Sequence, residues 1–126
     1  MEDVRIEHRY NASNFTLDMH CENVYQVLLV TSGRVRYRVG EKIYEVGRGD
    51  VIVLNTLEEH GLEVLEYPYE RYMIRVQPDF FQNEVKISGS DCSLHQAPAR
   101  LFPSADGIGT CMELFIRYCV GDGKRV

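Results

Sequence analysis

Apolar and polar residues alternate with a period of two in the first half of the chain, the pattern of strands with one buried face. The clearest example is residues 34–39, where valine and tyrosine alternate with arginine. Two shorter apolar runs follow at residues 43–46 and 51–54. Glycines separate these runs at Gly40 and within residues 47–50, and glycine favours tight turns because it enters positive φ without steric cost. The pattern predicts an antiparallel barrel or jelly roll.

Further elements flank this region. Residues 25–30 form a nearly continuous apolar run, which predicts a strand buried on both faces that ends at residues 31–33. Residues 71–76 alternate again, with tyrosine, isoleucine and valine on one side and arginine and methionine on the other. We expect the side that carries Tyr72 to face the interior. Residues 110–120 have apolar positions at helical spacing, which predicts an amphipathic helix.

Chain length and local composition suggest the domain organisation. With 126 residues, the chain is predicted to form one domain around a single core. Residues 1–14 have few apolar positions and are interpreted as an N-terminal arm or a short edge strand. Residues 15–80 form the predicted barrel core, with a helix beginning near Pro78. Residues 81–126 form a helical and loop segment.

The charge balance argues against nucleic-acid binding by this chain itself. Fourteen lysines and arginines against nineteen acidic residues give a formal net charge of −5, whereas nucleic-acid-binding domains concentrate positive charge. Arg34, Arg36 and Arg38 make a local basic stripe, interpreted as a solvated outer face, with a partner or an anionic ligand as the alternative.

The sequence also bears on the compartment. It contains no apolar run long enough to span a membrane, and its first residues lack the pattern of a signal peptide. A cytoplasmic protein without membrane contacts is therefore expected. The four cysteines are not arranged in CxxC pairs, so we interpret them as free thiols.

The order and spacing of several features resemble a known family. These features are His20, the apolar run 25–30, Ser32-Gly33, Gly49-Asp50, His60 and Arg71-Tyr72. Together they resemble the core of a cupin barrel and, more narrowly, the sensor domain at the N-terminus of AraC-type bacterial transcription regulators. The resemblance implies a mainly β fold, a cupin or double-stranded β-helix jelly-roll barrel with C-terminal helices.

The same resemblance implies a function. The chain would be the effector-binding and dimerisation domain of a regulator and not an enzyme. A small molecule in the barrel would control an attached helix-turn-helix domain, absent from residues 1–126, through which alone DNA is contacted. The apolar stripe of the predicted C-terminal helix supplies the candidate homodimer contacts, Leu114, Phe115 and Tyr118.

A polar constellation provides the candidate site. The predicted ligand-binding residues are His20, Glu22, Gln26, Tyr37, His60 and Tyr72. Metal-binding cupins use histidines and a glutamate at one barrel end, and His20, Glu22 and His60 could form such a set for a divalent metal. Gln26 falls near the usual position of the family's glutamate. No cofactor is expected; if a metal binds, the alternative function is a stand-alone metal-dependent cupin enzyme, an oxygenase or an isomerase.

Overall fold

The computed structural model describes residues 4–79 and 100–121. Most of the helix predicted to begin near Pro78, and most of the loop that follows it, therefore lie outside the described residues. The elements in chain order are β1 Val4–Asn11, β2 Thr16–His20, β3 Tyr25–Val39, β4 Lys42–Gly47, β5 Val51–Leu54, β6 His60–Val76, β7 Arg100–Phe102, a 3-10 helix Ser104–Asp106 and α1 Ile108–Gly121.

Two long antiparallel strands, β3 and β6, form the centre of the fold. The strand order is β1-β6-β3-β5-β7, with β2 also paired to β6 and β4 to β3. The first half of β3 pairs with β5 and its second half with β4, while β6 pairs with β2 and then with β1. Because each long strand serves two sets of neighbours, the strands wrap into the predicted jelly-roll barrel. The predicted turns between β3, β4 and β5 are present.

The predicted end of a strand at residues 31–33 is wrong, because β3 continues through this segment. Gly33 has φ 88°, and the pairing of β3 with β6 shifts register between Val30 and Val35. A Cβ atom at Gly33 would lie 2.5 Å from the carbonyl oxygen of Pro68 and 2.6 Å from that of Glu66. The glycine therefore allows an irregularity within one strand, where two backbones meet closely.

Residues 4–11, within the predicted arm, form strand β1. It pairs with β6 from Val4 opposite Val76 to Asn11 opposite Tyr69. This matches the edge-strand alternative for the start of the chain. Since side chains alternate along a strand, one side of β1 faces the barrel interior and the other faces away from it.

The core lies in two layers on either side of β3. Leu28 belongs to the cluster inside the barrel, and its neighbour Leu29 belongs to a second cluster outside it. Ile116 of α1 is buried in that second cluster. The run 25–30 is thus buried on both faces, as predicted, and the predicted C-terminal helix is confirmed. None of the helices within the described residues is long and apolar enough to cross a membrane.

The basic stripe lies on the outer surface. Arg34 forms ion pairs with Glu45 and Glu66, and Arg36 pairs with Glu63. The stripe is therefore a partly neutralised, solvated face rather than a concentrated positive patch, in agreement with the first interpretation.

Candidate functional site

The barrel contains a partly open cavity of about 340 Å³, within the size range of small-molecule sites. Apolar side chains from β2, β3, β6 and the segment before β2 form part of its wall: Phe15, Leu17, Leu28, Leu62 and Met73. Charged side chains form another part: Arg5, Glu7, Arg9, Glu22, Arg71 and Arg75. Gln26, Tyr37, His60 and Tyr69 complete the lining. The wall of the cavity is therefore apolar in one part and charged in another.

The face of β6 that meets this cavity is opposite to the predicted one. Arg71, Met73 and Arg75 line the cavity, whereas Tyr72 packs against the second core cluster, with its ring 4.9 Å from that of His8. The physical reason is that α1 covers this outer region, so an apolar face is needed there as well as inside. Tyr72 is thus separated from the other predicted site residues.

The structure brings His20, Glu22 and His60 together. One ligand atom from each lies within 4.8 Å of the others, and the two imidazole rings are 4.5 Å apart. His20 and His60 are direct partners in the pairing of β2 with β6, which explains their proximity across forty positions of sequence. Glu22 and His60 also line the cavity, so the cluster lies at one end of it.

Hydrogen bonds hold both imidazole rings. His20 Nδ1 lies 3.0 Å from the backbone oxygen of Asp18, and His60 Nδ1 lies 2.9 Å from that of Glu58. Each Nδ1 can therefore donate its proton to a carbonyl oxygen. His20 Nε2 lies 2.7 Å from Glu22 Oε2, so a protonated His20 can donate from both ring nitrogens.

The two histidines differ in protonation. The hydrogen bond to the Asp18 carbonyl raises the pKa of His20, and Glu22 adds to this effect. Burial lowers the pKa of His60. Burial also opposes ionisation of Glu22, but hydrogen bonds from Arg75 and His20 outweigh it and lower the pKa of this carboxyl group. The cluster therefore favours a proton on His20, a neutral His60 and an ionised Glu22.

The donor set of this cluster fits a divalent metal in kind. Two imidazoles and one carboxylate suit first-row metals, and donation from Nδ1 to a carbonyl oxygen is the usual support of a metal-binding histidine. His20, Glu22 and His60 would hold the ion through the two Nε2 atoms and a carboxylate oxygen. Gln26 accepts a hydrogen bond at its Oε1 from Arg75 Nη1, at 3.5 Å.

Arg71 is a site residue that the sequence interpretation missed. It is 5% exposed, and its Nη1 donates to Asn11 Oδ1 at 2.6 Å. Its guanidinium group lies 4.2 Å from the centre of the Tyr69 ring and 5.0 Å from that of Phe15. No carboxylate within the described ranges forms an ion pair with it. The family resemblance had included Arg71-Tyr72, but the period-two pattern of residues 71–76 was interpreted with Tyr72 inside and Arg71 on the outer face.

Two polar groups in the cavity wall lack a hydrogen-bond partner among the described residues. They are Gln26 Nε2 and the hydroxyl of Tyr69. Both residues are almost completely buried. Burial raises the pKa of Tyr69, and raises that of Tyr37 well above its ordinary value, so both phenols are neutral donors near pH 7. A bound polar molecule would satisfy groups of this kind.

The candidate dimer contacts lie on α1. Leu114 is 65% exposed, and the side chains of Phe115 and Tyr118 lie outside the described residues. Cys21 and Cys111, the thiols that the structure describes, are free, as predicted, and both are exposed.

The fold and the cavity define the class of protein, a cupin-type barrel with an internal site. The family model of the AraC-like ligand binding domain matches residues 4–106, so the chain belongs to that family. A comparison with curated proteins found no match.

Solved structures agree with this assignment of the fold. ToxT from Vibrio cholerae O395 aligns over 94% of this chain and 46% of its own, with 12% identity and a TM-score of 0.66. ToxT from strain SCE256 with a bound unsaturated fatty acid aligns over 86% and 44%, with 11% identity and a TM-score of 0.60. The present chain thus spans less than half the length of ToxT.

A cupin family protein shares the fold over a shorter part of the chain. An RmlC-like cupin family protein with a double-stranded β-helix fold, from Methanocaldococcus jannaschii, aligns over 66% of this chain and 78% of its own. Identity is 14% and the TM-score is 0.57. These likenesses concern the fold, and they confirm the predicted cupin, double-stranded β-helix architecture.

Proposed function

We propose that this chain is the effector-binding and dimerisation domain of an AraC-type transcription regulator. The observation that carries the proposal is the cavity of about 340 Å³, whose wall contains buried polar atoms of Gln26 and Tyr69 without partners. Family membership supports it. The effector would control an attached helix-turn-helix domain in the cytoplasm, and the net charge of −5 agrees with DNA contact through that other domain alone.

The contact between Asn11 and Arg71 supports a route from the cavity to the start of the chain. Asn11 ends β1, and Arg71 lies in the cavity wall. Arg5, Glu7 and Arg9 of β1 line the same cavity. An effector that binds these groups more strongly in one arrangement of β1 would shift the population toward that arrangement. This shift would reposition the attached domains.

A ligand-affinity measurement tests the cavity. Small molecules that bind the chain are identified by ligand-observed NMR, and their affinities are measured by calorimetry for the wild type and for a variant with Tyr37→Ala and His60→Ala. We expect the double variant to lose at least about tenfold in affinity, since both side chains line the cavity. Arg36→Ala, on the outer surface, is the control. Unchanged affinity in the double variant would contradict this assignment of the site.

Dimerisation is proposed to use the exposed side of α1. Leu114 is 65% exposed there, and a second copy could cover it. Sedimentation should show a dimer that Leu114→Asp disrupts, because the new charge would be buried in the interface. Leu57→Asp is a matched control, since Leu57 is 64% exposed on the loop between β5 and β6. A wild-type monomer unaffected by Leu114→Asp would refute the dimer.

A second candidate is a metal-dependent cupin enzyme, an oxygenase or an isomerase. It is favoured by the convergence of His20, Glu22 and His60, with each Nδ1 bonded to a carbonyl oxygen. A bound metal would act as a Lewis acid. Calorimetry with Zn²⁺ and Mn²⁺ tests this candidate: stoichiometric binding lost in His60→Ala but kept in His8→Ala would support it. Weak binding equal in all three proteins would remove it.

A further inference from the structure

We infer that the effector is a small organic monoanion whose carboxylate group is bound by Arg71 inside the barrel. The inference rests on the proposed function and adds the chemical class of the ligand. Its starting point is the charge of the cavity wall, where four arginines face two glutamates, a positive balance within a chain of net charge −5. The cavity therefore attracts anions although the protein as a whole is acidic.

The ion pairs of the wall single out one arginine. Arg5 and Arg9 both contact Glu7, at 3.2 and 2.6 Å. Arg75 pairs with Glu22. Arg71 alone among these four arginines has no carboxylate partner in the part of the chain that the structure describes. Arg71 is thus the wall arginine left for a ligand, and one guanidinium group pairs with one carboxylate, the charge of a monoanion.

The surroundings of Arg71 keep its charge away from the outer surface of the protein. Its side chain is almost completely buried, and burial lowers its pKa although arginine remains protonated near pH 7. Its Nη1 donates to Asn11 Oδ1 and, at 3.4 Å, to the backbone oxygen of Tyr69, and its guanidinium group lies over the rings of Phe15 and Tyr69. A buried charge without a counterion is costly. A carboxylate that accepts two hydrogen bonds from the guanidinium fork would compensate it.

The rest of the cavity indicates the rest of the ligand. The wall beside Arg71 includes Leu28 and Met73, which are neighbours across β3 and β6 and would contact an apolar or aromatic body. Gln26 pairs with Arg75 in the ladder of β3 and β6. Arg75 lies four residues along β6 from Arg71, a distance of about 13 Å. The unpartnered Nε2 of Gln26 could donate to a hydroxyl or carbonyl oxygen there. The ligand class is therefore a carboxylate on an apolar body with a second polar group.

Matched pairs of probes test the charge requirement without altering the protein. Hexanoate, benzoate and 4-hydroxybenzoate are compared with hexanamide, benzamide and 4-hydroxybenzamide by calorimetry and by NMR of the cavity residues. We expect at least one carboxylate to bind about tenfold to a hundredfold more tightly than its amide, the range of a charge-assisted hydrogen-bond pair. Arg71→Met should abolish this difference, and Arg36→Met, on the outer surface, should leave it unchanged.

A measurement without ligand tests the role of Arg71 independently. If its charge is kept for binding, Arg71→Met should leave the urea midpoint of the ligand-free protein unchanged or raise it, because an apolar side chain suits the buried position better. A clear fall in the midpoint would show that Arg71 is structural and would overturn the inference.

The binding outcomes separate the inference from the proposed function. If amides bind in the cavity as tightly as the carboxylates, the cavity is an effector site and only the charge assignment fails. If neither member of any pair binds, the charge assignment and the proposed use of the cavity are both contradicted.

Discussion

Replacing Gly33 by alanine should strongly destabilise the barrel, because Gly33 combines two constraints. Its φ of 88° lies in the left-handed region. A Cβ atom there would also lie 2.5 and 2.6 Å from two backbone carbonyl oxygens, those of Pro68 and Glu66. The neighbours are main-chain atoms of β6, so they cannot move aside by a change of rotamer.

The magnitude follows from these two terms. An L-residue in left-handed conformation costs about 1–2 kcal/mol, and forced displacement of a packed backbone adds about 1–3 kcal/mol. The expected loss in the free energy of unfolding is about 2–5 kcal/mol, a large part of the roughly 5–15 kcal/mol available to a domain of this kind. With a urea m-value of about 2 kcal/mol/M, the midpoint should fall by about 1–2.5 M.

Gly40 provides the matched control. It also has positive φ, at 57°, but its Cβ would meet no heavy atom within 4 Å in the described ranges. Gly40→Ala should therefore show the conformational cost alone, about 1–2 kcal/mol. Urea unfolding of both variants, followed by circular dichroism, measures the difference. Equal losses in the two variants would refute the idea that the close approach of β3 and β6 at Gly33 requires glycine.

Three further changes give distinct expectations. Gly109→Ala should destabilise the protein by about 1–3 kcal/mol in urea unfolding, because the new Cβ would overlap the Gly49 carbonyl oxygen; a loss below about 0.5 kcal/mol would contradict this packing. Tyr69→Phe should leave the ligand-free stability within about 1 kcal/mol, since the hydroxyl has no partner among the described residues, and a greater loss would reveal one. The pKa of His20 is raised in the folded protein. Protonated His20 therefore stabilises the fold below about pH 6.5. This stabilisation is lost as the pH rises through the folded-state pKa. His20→Gln should therefore lower the urea midpoint more at about pH 5.5 than at about pH 8.5, and the opposite order would contradict the assigned contacts.

The local part of the fold was predictable from sequence because its signals are local. The turn at Gly40 and the strands on either side follow from alternation and glycine placement over a few residues. Gly33 was misinterpreted because the same residue serves both turns and irregular strands. What distinguishes the two is the approach of Pro68, thirty-five positions away, and a single sequence does not show that contact.

The candidate site was predictable only where its residues follow a family pattern. His20 and His60 meet because β2 pairs with β6. This agrees with the family pattern, in which the corresponding histidines lie at one end of the barrel. The face of β6 was misassigned for a physical reason: alternation distinguishes two faces but does not say which one is inside. The apolar face of a strand usually points into a barrel. Here the interior is a partly charged cavity and a helix covers the outside, so Arg71 lies inside and Tyr72 outside.

The two candidate functions use different parts of the cavity, the cluster of His20, Glu22 and His60 for a metal and Arg71 for an organic anion. A metal at the cluster needs an unprotonated His20, but the raised pKa of His20 favours its proton. It also needs an oxygen of Glu22, whose two oxygens contact His20 and Arg75. A carboxylate at Arg71 displaces no ion pair within the described residues. A metal would therefore compete with the contacts of Glu22 with His20 and Arg75, whereas a carboxylate at Arg71 would compete with no ion pair that the structure describes.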